Sequence, residues 1–388
     1  MNSFIYNVPT KVYFGENATD NIGAEIANYG KRVLLCYGGG SIKKSGLYDK
    51  VMAQLSKCQA KVFELSGIEP NPRVDSVREG AKICKEQNID VLLAVGGGST
   101  LDCTKWIAAA ACVEHDAWDF FDKWAPVEKA LPVLTVLTLS ATGSEMNCGG
   151  VISNLETKDK IGRLDKALLP KVSFLDPTLT YSVSKYQTAC GSADIMSHIL
   201  EVYFAPNNGM YMLDCFMEGL LKTVIKYAPI AIENPDDYDA RANLMWASSW
   251  AINGFIRADK NHEWSCHPLE HELSAIYDIT HGLGLAILTP RFLKYCLSAE
   301  NVDRYVQFGV NVFGIDETLP KMEIANLAID KLSEFFFDTL ELSDTFTKLN
   351  ITDEHFALMA NKACEGDIIN GFVKLSPSDV EKIFEMCL

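Results

Sequence analysis

Two apolar runs of the chain each end on three glycines and a serine, "RVLLCYGGGS" at 32–41 and "IDVLLAVGGGS" at 89–99. A run of Val, Leu and Ile without polar alternation has no face to give to water, so both faces must be covered by other elements. A glycine turn that feeds directly into a helical pattern, as "GGGSTLDCTKWIA" does, is how a strand in a parallel sheet hands over to its covering helix. The same alternation recurs through the first half. "KVYFG", "AKVFELSG", "LPVLTVLTLS" and "KVSFLDPTLT" read as strands, while "GLYDKVMAQLSKC", "RVDSVREGAKICKEQN" and "TLDCTKWIAAAAC" read as helices. The pattern predicts an α/β domain with a doubly wound parallel sheet.

After residue 180 the strand signals stop, and the remaining segments, from "SADIMSHILEVYF" to "LPKMEIANLAIDKLSEFFFDTL", carry helical periodicity. A chain of 388 residues exceeds what one core usually supports. Two domains are expected, an α/β domain over 1–178 and an all-helical domain over 179–388.

Charge narrows the partners. A formal net charge of −16 repels nucleic acid and anionic bilayers, and no basic run interrupts it. No apolar stretch reaches the length of a membrane span. The 12 cysteines are scattered without a C-x-x-C, and the opening "MNSFIYNVPTKVYFG" lacks the basic and apolar regions of an export signal. These features predict a cytoplasmic protein with reduced thiols.

The glycine loops present free backbone N–H groups and a helix dipole above the strand ends, an arrangement suited to a pyrophosphate. A site for NAD is expected to carry Asp or Glu at the first strand end for the ribose 2′-hydroxyl. Here the strand runs "CYGGGSIKK", with no carboxylate. Gly38, Gly39, Gly40 and Ser41, with Lys43 or Lys44, leave room and donors for a 2′-phosphate, which favours NADP(H).

Histidine is scarce, with seven in the chain, yet three fall in "HPLEHELSAIYDITHG". Asp194 and His198 stand four apart in the mostly apolar "SADIMSHIL", so one helical face carries both, and a buried Asp–His pair there calls for a cation. Proline at 268 predicts a helix beginning at that residue, with His267 at its mouth. Asp194, His198, His267 and His281 together would give an N₃O site for Fe²⁺ or Zn²⁺. His271 is left over and is a candidate for relaying the proton that must accompany a hydride. His115, His262 and His355 read as surface residues.

The chain resembles the iron-containing, or group III, alcohol dehydrogenases, and within them the NADPH-dependent butanol dehydrogenase branch. The resemblance runs through "YNVPTKVYFG", "PNPR", "GGGSTLDCTK", "TLSATGSEMN", "GSADIMSH" and "HPLEHELSAIYDITHGLGLAI". It implies a Rossmann-like domain, an all-helical domain, and cofactor and metal held in a cleft between them. It carries the metal ligands to Asp194, His198, His267 and His281, and places His271 near the nicotinamide. Asn71, Gly97, Gly98, Ser99, Asp102, Thr138, Thr142, Asn147 and Lys160 match cofactor-contacting positions, and Gly38 to Ser41 match the adenosine-phosphate loop. It leaves the metal open between iron and zinc and implies a homodimer.

The expected reaction is reversible exchange between a small primary alcohol and its aldehyde, of the butanol and butanal kind, with direct hydride transfer. Two rivals stand beside it: a dehydroquinate synthase- or glycerol dehydrogenase-like enzyme on the same scaffold, and a non-catalytic protein with a closed metal shell. Residues 181–290 hold few Lys and Arg for a phosphorylated substrate, while "WAINGF" and "EWSCHPLE" suit a small apolar one.

Overall fold

Successive residues of the expected strands point to opposite sides of one sheet. Val33, Leu35 and Tyr37 enter one core together with Leu93, Val136 and Phe174, whereas Leu34, Cys36 and Leu92 enter a second core with Trp106, Ile107 and Phe120. Both faces are therefore buried, which accounts for the lack of polar alternation. The computed structural model describes residues 3–206, 209–258 and 263–388. His262 lies outside them.

The strands of the first 183 residues are β1 (Lys11–Phe14), β2 (Arg32–Tyr37), β3 (Lys61–Leu65), β4 (Val91–Gly96), β5 (Val133–Leu137), β6 (Gly149–Asn154), β7 (Asp159–Leu164) and β8 (Val172–Leu175). Six of them form a parallel sheet in the order β1-β8-β5-β4-β2-β3. The remaining two, β6 and β7, pair as an antiparallel hairpin that the sequence reading did not anticipate.

The chain divides into two compact units. One comprises residues 7–183 and 235–253 and contains the sheet; the other comprises residues 1–6, 184–234 and 254–388. This departs from the expected division at 178. The break falls at Val183/Ser184, where the Ser184 side chain caps the helix Lys185–Tyr203 by accepting from Gln187 N–H at 3.2 Å. The helix Tyr238–Ile252, expected in the second domain, belongs with the sheet: its Ser249 hydroxyl donates to Glu145 and its Ser248 hydroxyl to the Ala141 carbonyl. The second unit is helical except for a short antiparallel pair, Ile369–Asn370 with Lys374–Leu375.

Among the described residues no helix is long and apolar enough to cross a membrane. All 12 cysteines are free, and eight of them are buried.

Candidate metal centre and cofactor loops

In the helical unit, Asp194 and His198 lie one turn apart on the helix Lys185–Tyr203, which is buried continuously from Thr188 to Tyr203. His267 comes from the helix Cys266–Tyr277 and His281 opens the helix His281–Cys296. That last helix meets the first at backbone range: a Cβ on Gly282 would stand 2.0 Å from the Cys190 carbonyl oxygen. Only glycine permits this approach, and it delivers the adjacent His281 to Asp194.

Nε2 of His198 and Nε2 of His281 each lie 3.6 Å from Asp194 Oδ1. That is too long for a good hydrogen bond. Two ligands each about 2.1 Å from one ion are separated by roughly 3.4 Å along a tetrahedral edge, so the spacing suits atoms that share a cation. Asp194, His267 and His281 offer donor atoms within 4.8 Å of one another. The His267 ring stacks on the His198 ring at 4.9 Å between centroids.

The protonation states fit the same use. Burial, reinforced by the neighbouring His267 and His281 rings, pushes His198 well below the usual imidazole range and keeps it neutral. His267 Nδ1 lies 3.1 Å from Glu201 Oε1, and its buried Nε2 has no hydrogen-bond partner among the described residues. An imidazole that donates from Nδ1 presents a lone pair at Nε2, the form in which histidine binds a metal.

Glu201 and Glu270 were missed in the sequence reading. Glu201 follows His198 by three residues and so shares its helical face. Its oxygens also accept from the backbone N–H groups of Ser265, at 2.9 Å, and of His267, at 2.7 Å. It thus caps the start of a helix from a neighbouring one. Burial alone would raise its pKa, but the His267 ring and these N–H donors outweigh burial and hold it below the ordinary carboxylate range. Glu270, fully buried, meets His281 Nδ1 with one oxygen and the Ser274 hydroxyl with the other. The available signal was a carboxylate on an apolar helix beside histidines.

The helix carrying His267 begins at Cys266, not at Pro268 as expected. Proline stands within its first turn, where an N–H has no intrahelical acceptor to lose. His267 and His271 therefore share one helical face, with rings 6.3 Å apart. His271 is partly exposed, and its ring lies 5.7 Å from that of His281. Glu270, His271 and His281 form a second convergent set. His115 is exposed and His355 half-buried, both remote in sequence from this cluster.

In the α/β unit the expected cofactor residues separate into two kinds. Gly38 to Ser41, Gly97, Ser99 and Thr138 follow the carboxyl ends of β2, β4 and β5, three strands adjacent in the sheet, and are at least partly accessible. Asn71, with φ 50°, and Thr142 are also partly accessible. Gly98 opens the helix Gly98–Ala110, and a Cβ there would meet Thr142 Oγ1 at 2.2 Å, so this glycine lets the helix start pack under the 138–142 turn.

Asp102, Asn147 and Lys160 are buried. Asp102 accepts from the Ser144 hydroxyl at 2.5 Å and from Val151 N–H at 2.9 Å. The Asn147 amide accepts from Lys105 Nζ and Gly149 N–H and donates to the Thr142 carbonyl. These bonds make Asp102 and Asn147 braces for the 142–151 segment. Lys160 sits in the hairpin opposite Ser153.

A sequence-family model described as "Iron-containing alcohol dehydrogenase" matches residues 9–177, and one described as "Fe-containing alcohol dehydrogenase family, C-terminal" matches residues 188–388. NADH-dependent butanol dehydrogenase A of Clostridium acetobutylicum is 49% identical, with 99% of each chain covered. The NADPH-dependent aldehyde reductase YqhD of Escherichia coli is 41% identical over 82% of each. The crystal structure of NADH-dependent butanol dehydrogenase A from Thermotoga maritima superposes with a TM-score of 0.95 at 38% identity, covering 100% of this chain and 99% of that one. The chain belongs to the iron-containing alcohol dehydrogenase family.

Proposed function

We propose that the protein interconverts small primary alcohols and their aldehydes by direct hydride exchange with NADP(H), with a divalent ion, iron or zinc, held by Asp194, His198, His267 and His281. The observation that carries this reading is the meeting of one buried carboxylate and three imidazoles from three helices, two of the rings backed by further carboxylates. A divalent ion bound there supplies Lewis-acid polarisation of an aldehyde oxygen, a contribution of several kcal/mol in general. Family membership supports the reaction class, and both an aldehyde reductase and butanol dehydrogenases stand among the relatives.

The protein's own residues divide the remaining work. The turns after β2, β4 and β5 hold the dinucleotide with backbone N–H groups and the Ser41, Ser99, Thr138 and Thr142 hydroxyls. His271, partly exposed and one helical turn beyond His267, gives its ring proton to the product alkoxide in reduction and recovers it in oxidation.

The preference for NADP(H) rests on the end of β2. Tyr37 precedes the glycines, and no Asp or Glu stands among residues 38–41. The nearby Glu64 carboxylate is taken up by the hydroxyls of Tyr37, at 2.7 Å, and Tyr48, at 2.8 Å. Lys43 Nζ lies over both tyrosine rings, 5.1 and 4.8 Å from their centroids, and supplies a cation for the 2′-phosphate. The uncombined thiols fit a reducing cytoplasm. A homodimer completes the reading, checked by sedimentation.

The direct test follows NADPH absorbance as butanal is added to the metal-loaded protein. Butanal-dependent oxidation is expected, and a metal-loaded protein that leaves NADPH unchanged across a panel of aldehydes would end this reading.

A further inference from the structure

Three histidines face Asp194, but their outward nitrogens have different partners. Nδ1 of His267 is matched by Glu201 and Nδ1 of His281 by Glu270, whereas Nδ1 of His198 is buried without a hydrogen-bond partner among the described residues. The two carboxylates are themselves fixed. Glu201 is held by two backbone N–H groups at the start of the helix Cys266–Tyr277, and Glu270, with no exposed surface, by the Ser274 hydroxyl.

We propose that Glu201 and Glu270 are positioning residues that lock His267 and His281 in the tautomer protonated at Nδ1, so that each Nε2 lone pair is preset for the cation. The inference rests on the metal-centre reading above. A carboxylate behind an imidazole fixes the ring's rotation and raises its basicity as a ligand, and loss of such a partner generally weakens metal binding about 10- to 100-fold. Glu201 does more than orient: by accepting the first-turn N–H of His267 as well as its ring N–H, it ties the ring's direction to the position of the helix. His198 has no such partner at Nδ1 among the described residues and is held by packing against the Trp264 and His267 rings. The centre is therefore asymmetric, with two braced imidazoles and one unbraced.

The test measures Zn²⁺ affinity of the metal-free protein by competition with a chromophoric chelator, and the visible absorption of the Co²⁺-loaded form, for wild type, E201Q, E270Q and His267→Ala. Gln at 270 keeps an oxygen for His281 and can donate to Ser274, so E270Q should melt close to wild type when metal-free. Both Gln variants should nevertheless bind Zn²⁺ about 10- to 100-fold more weakly and shift the Co²⁺ bands, a change that a purely packing role would not produce. Because E201Q also disturbs the helix start, ring ¹⁵N shifts in the wild-type protein provide a second measurement; Nδ1–H is expected at both His267 and His281. Loss of Zn²⁺ binding in His267→Ala with wild-type affinity in E201Q and E270Q would overturn the positioning proposal alone, as would an Nε2–H tautomer at either ring. Undiminished Zn²⁺ binding in His267→Ala would overturn the metal-centre reading and the proposal with it.

Discussion

Asp194 Oδ1 stands 3.6 Å from Nε2 of His281, although the two residues belong to different helices and meet only because Gly282 lets those helices touch. The contact ties a chemical requirement to a packing one. Gly282→Ala would place its Cβ against the Cys190 backbone, which cannot swing aside as a side chain would. Overpacking of this kind costs about 1–3 kcal/mol. A lower melting temperature is expected together with weaker Zn²⁺ binding, measured by calorimetry and chelator competition. Reduced stability with unchanged affinity would separate the two effects and contradict the link.

Gly98 tests the cofactor loops in the same manner. Gly98→Ala drives a Cβ into Thr142 Oγ1 and Cγ2, so the melting temperature should fall, by an amount equivalent to about 1–3 kcal/mol. Adding Thr142→Ala removes the two nearest atoms but leaves Cβ at 2.8 Å, so it should restore part of the stability without restoring NADPH affinity. Independent, additive losses in the double-mutant cycle would show that the two residues do not meet.

Lys43 is expected to discriminate between cofactors. Lys43 is exposed, so its pairing with a phosphate is screened by solvent; Lys43→Ala should weaken NADPH binding roughly 2- to 5-fold and leave NADH nearly unchanged. Fluorescence titration with both cofactors measures this. Equal losses for the two would remove the 2′-phosphate assignment.

The pH dependence follows from His198. Its folded-state pKa lies well below the usual value because burial disfavours the charged ring, so the unfolded chain takes up its proton first. Metal-free protein should therefore lose stability as pH falls below about 6.5 and keep losing it until the folded-state pKa is reached. His198→Asn should flatten this slope in thermal melts between pH 7 and 5.5. An unchanged slope would show that His198 is not buried as a neutral ring.

Much of this was legible in the sequence because the relevant constraints are local. Continuous runs such as "VLLAVG" report a strand covered on both sides, and the four-residue spacing of Asp194 and His198 reports a shared helical face. The hairpin of β6 and β7 was not legible: three glycines and five polar residues interrupt its strands, "LETK" joins them, and the stretch resembles a loop in composition. Nor was the place of the helix Tyr238–Ile252, since periodicity reveals that a face is apolar but not which unit will cover it. Glu201 and Glu270 escaped notice for a related reason. Their meaning depends on rings brought to them by other turns of chain, and a lone glutamate on a helix ordinarily signifies a solvated face.

The most direct measurement titrates Fe²⁺ or Zn²⁺ anaerobically into metal-free protein and records butanal-dependent NADPH oxidation at each addition, beside a His267→Ala control. Activity should rise in proportion to bound metal and level off at about one ion per chain, while the control stays below roughly a thousandth of wild type, as loss of several kcal/mol of polarisation implies. Turnover by the metal-free protein, or full turnover by the His267→Ala variant, would contradict the account.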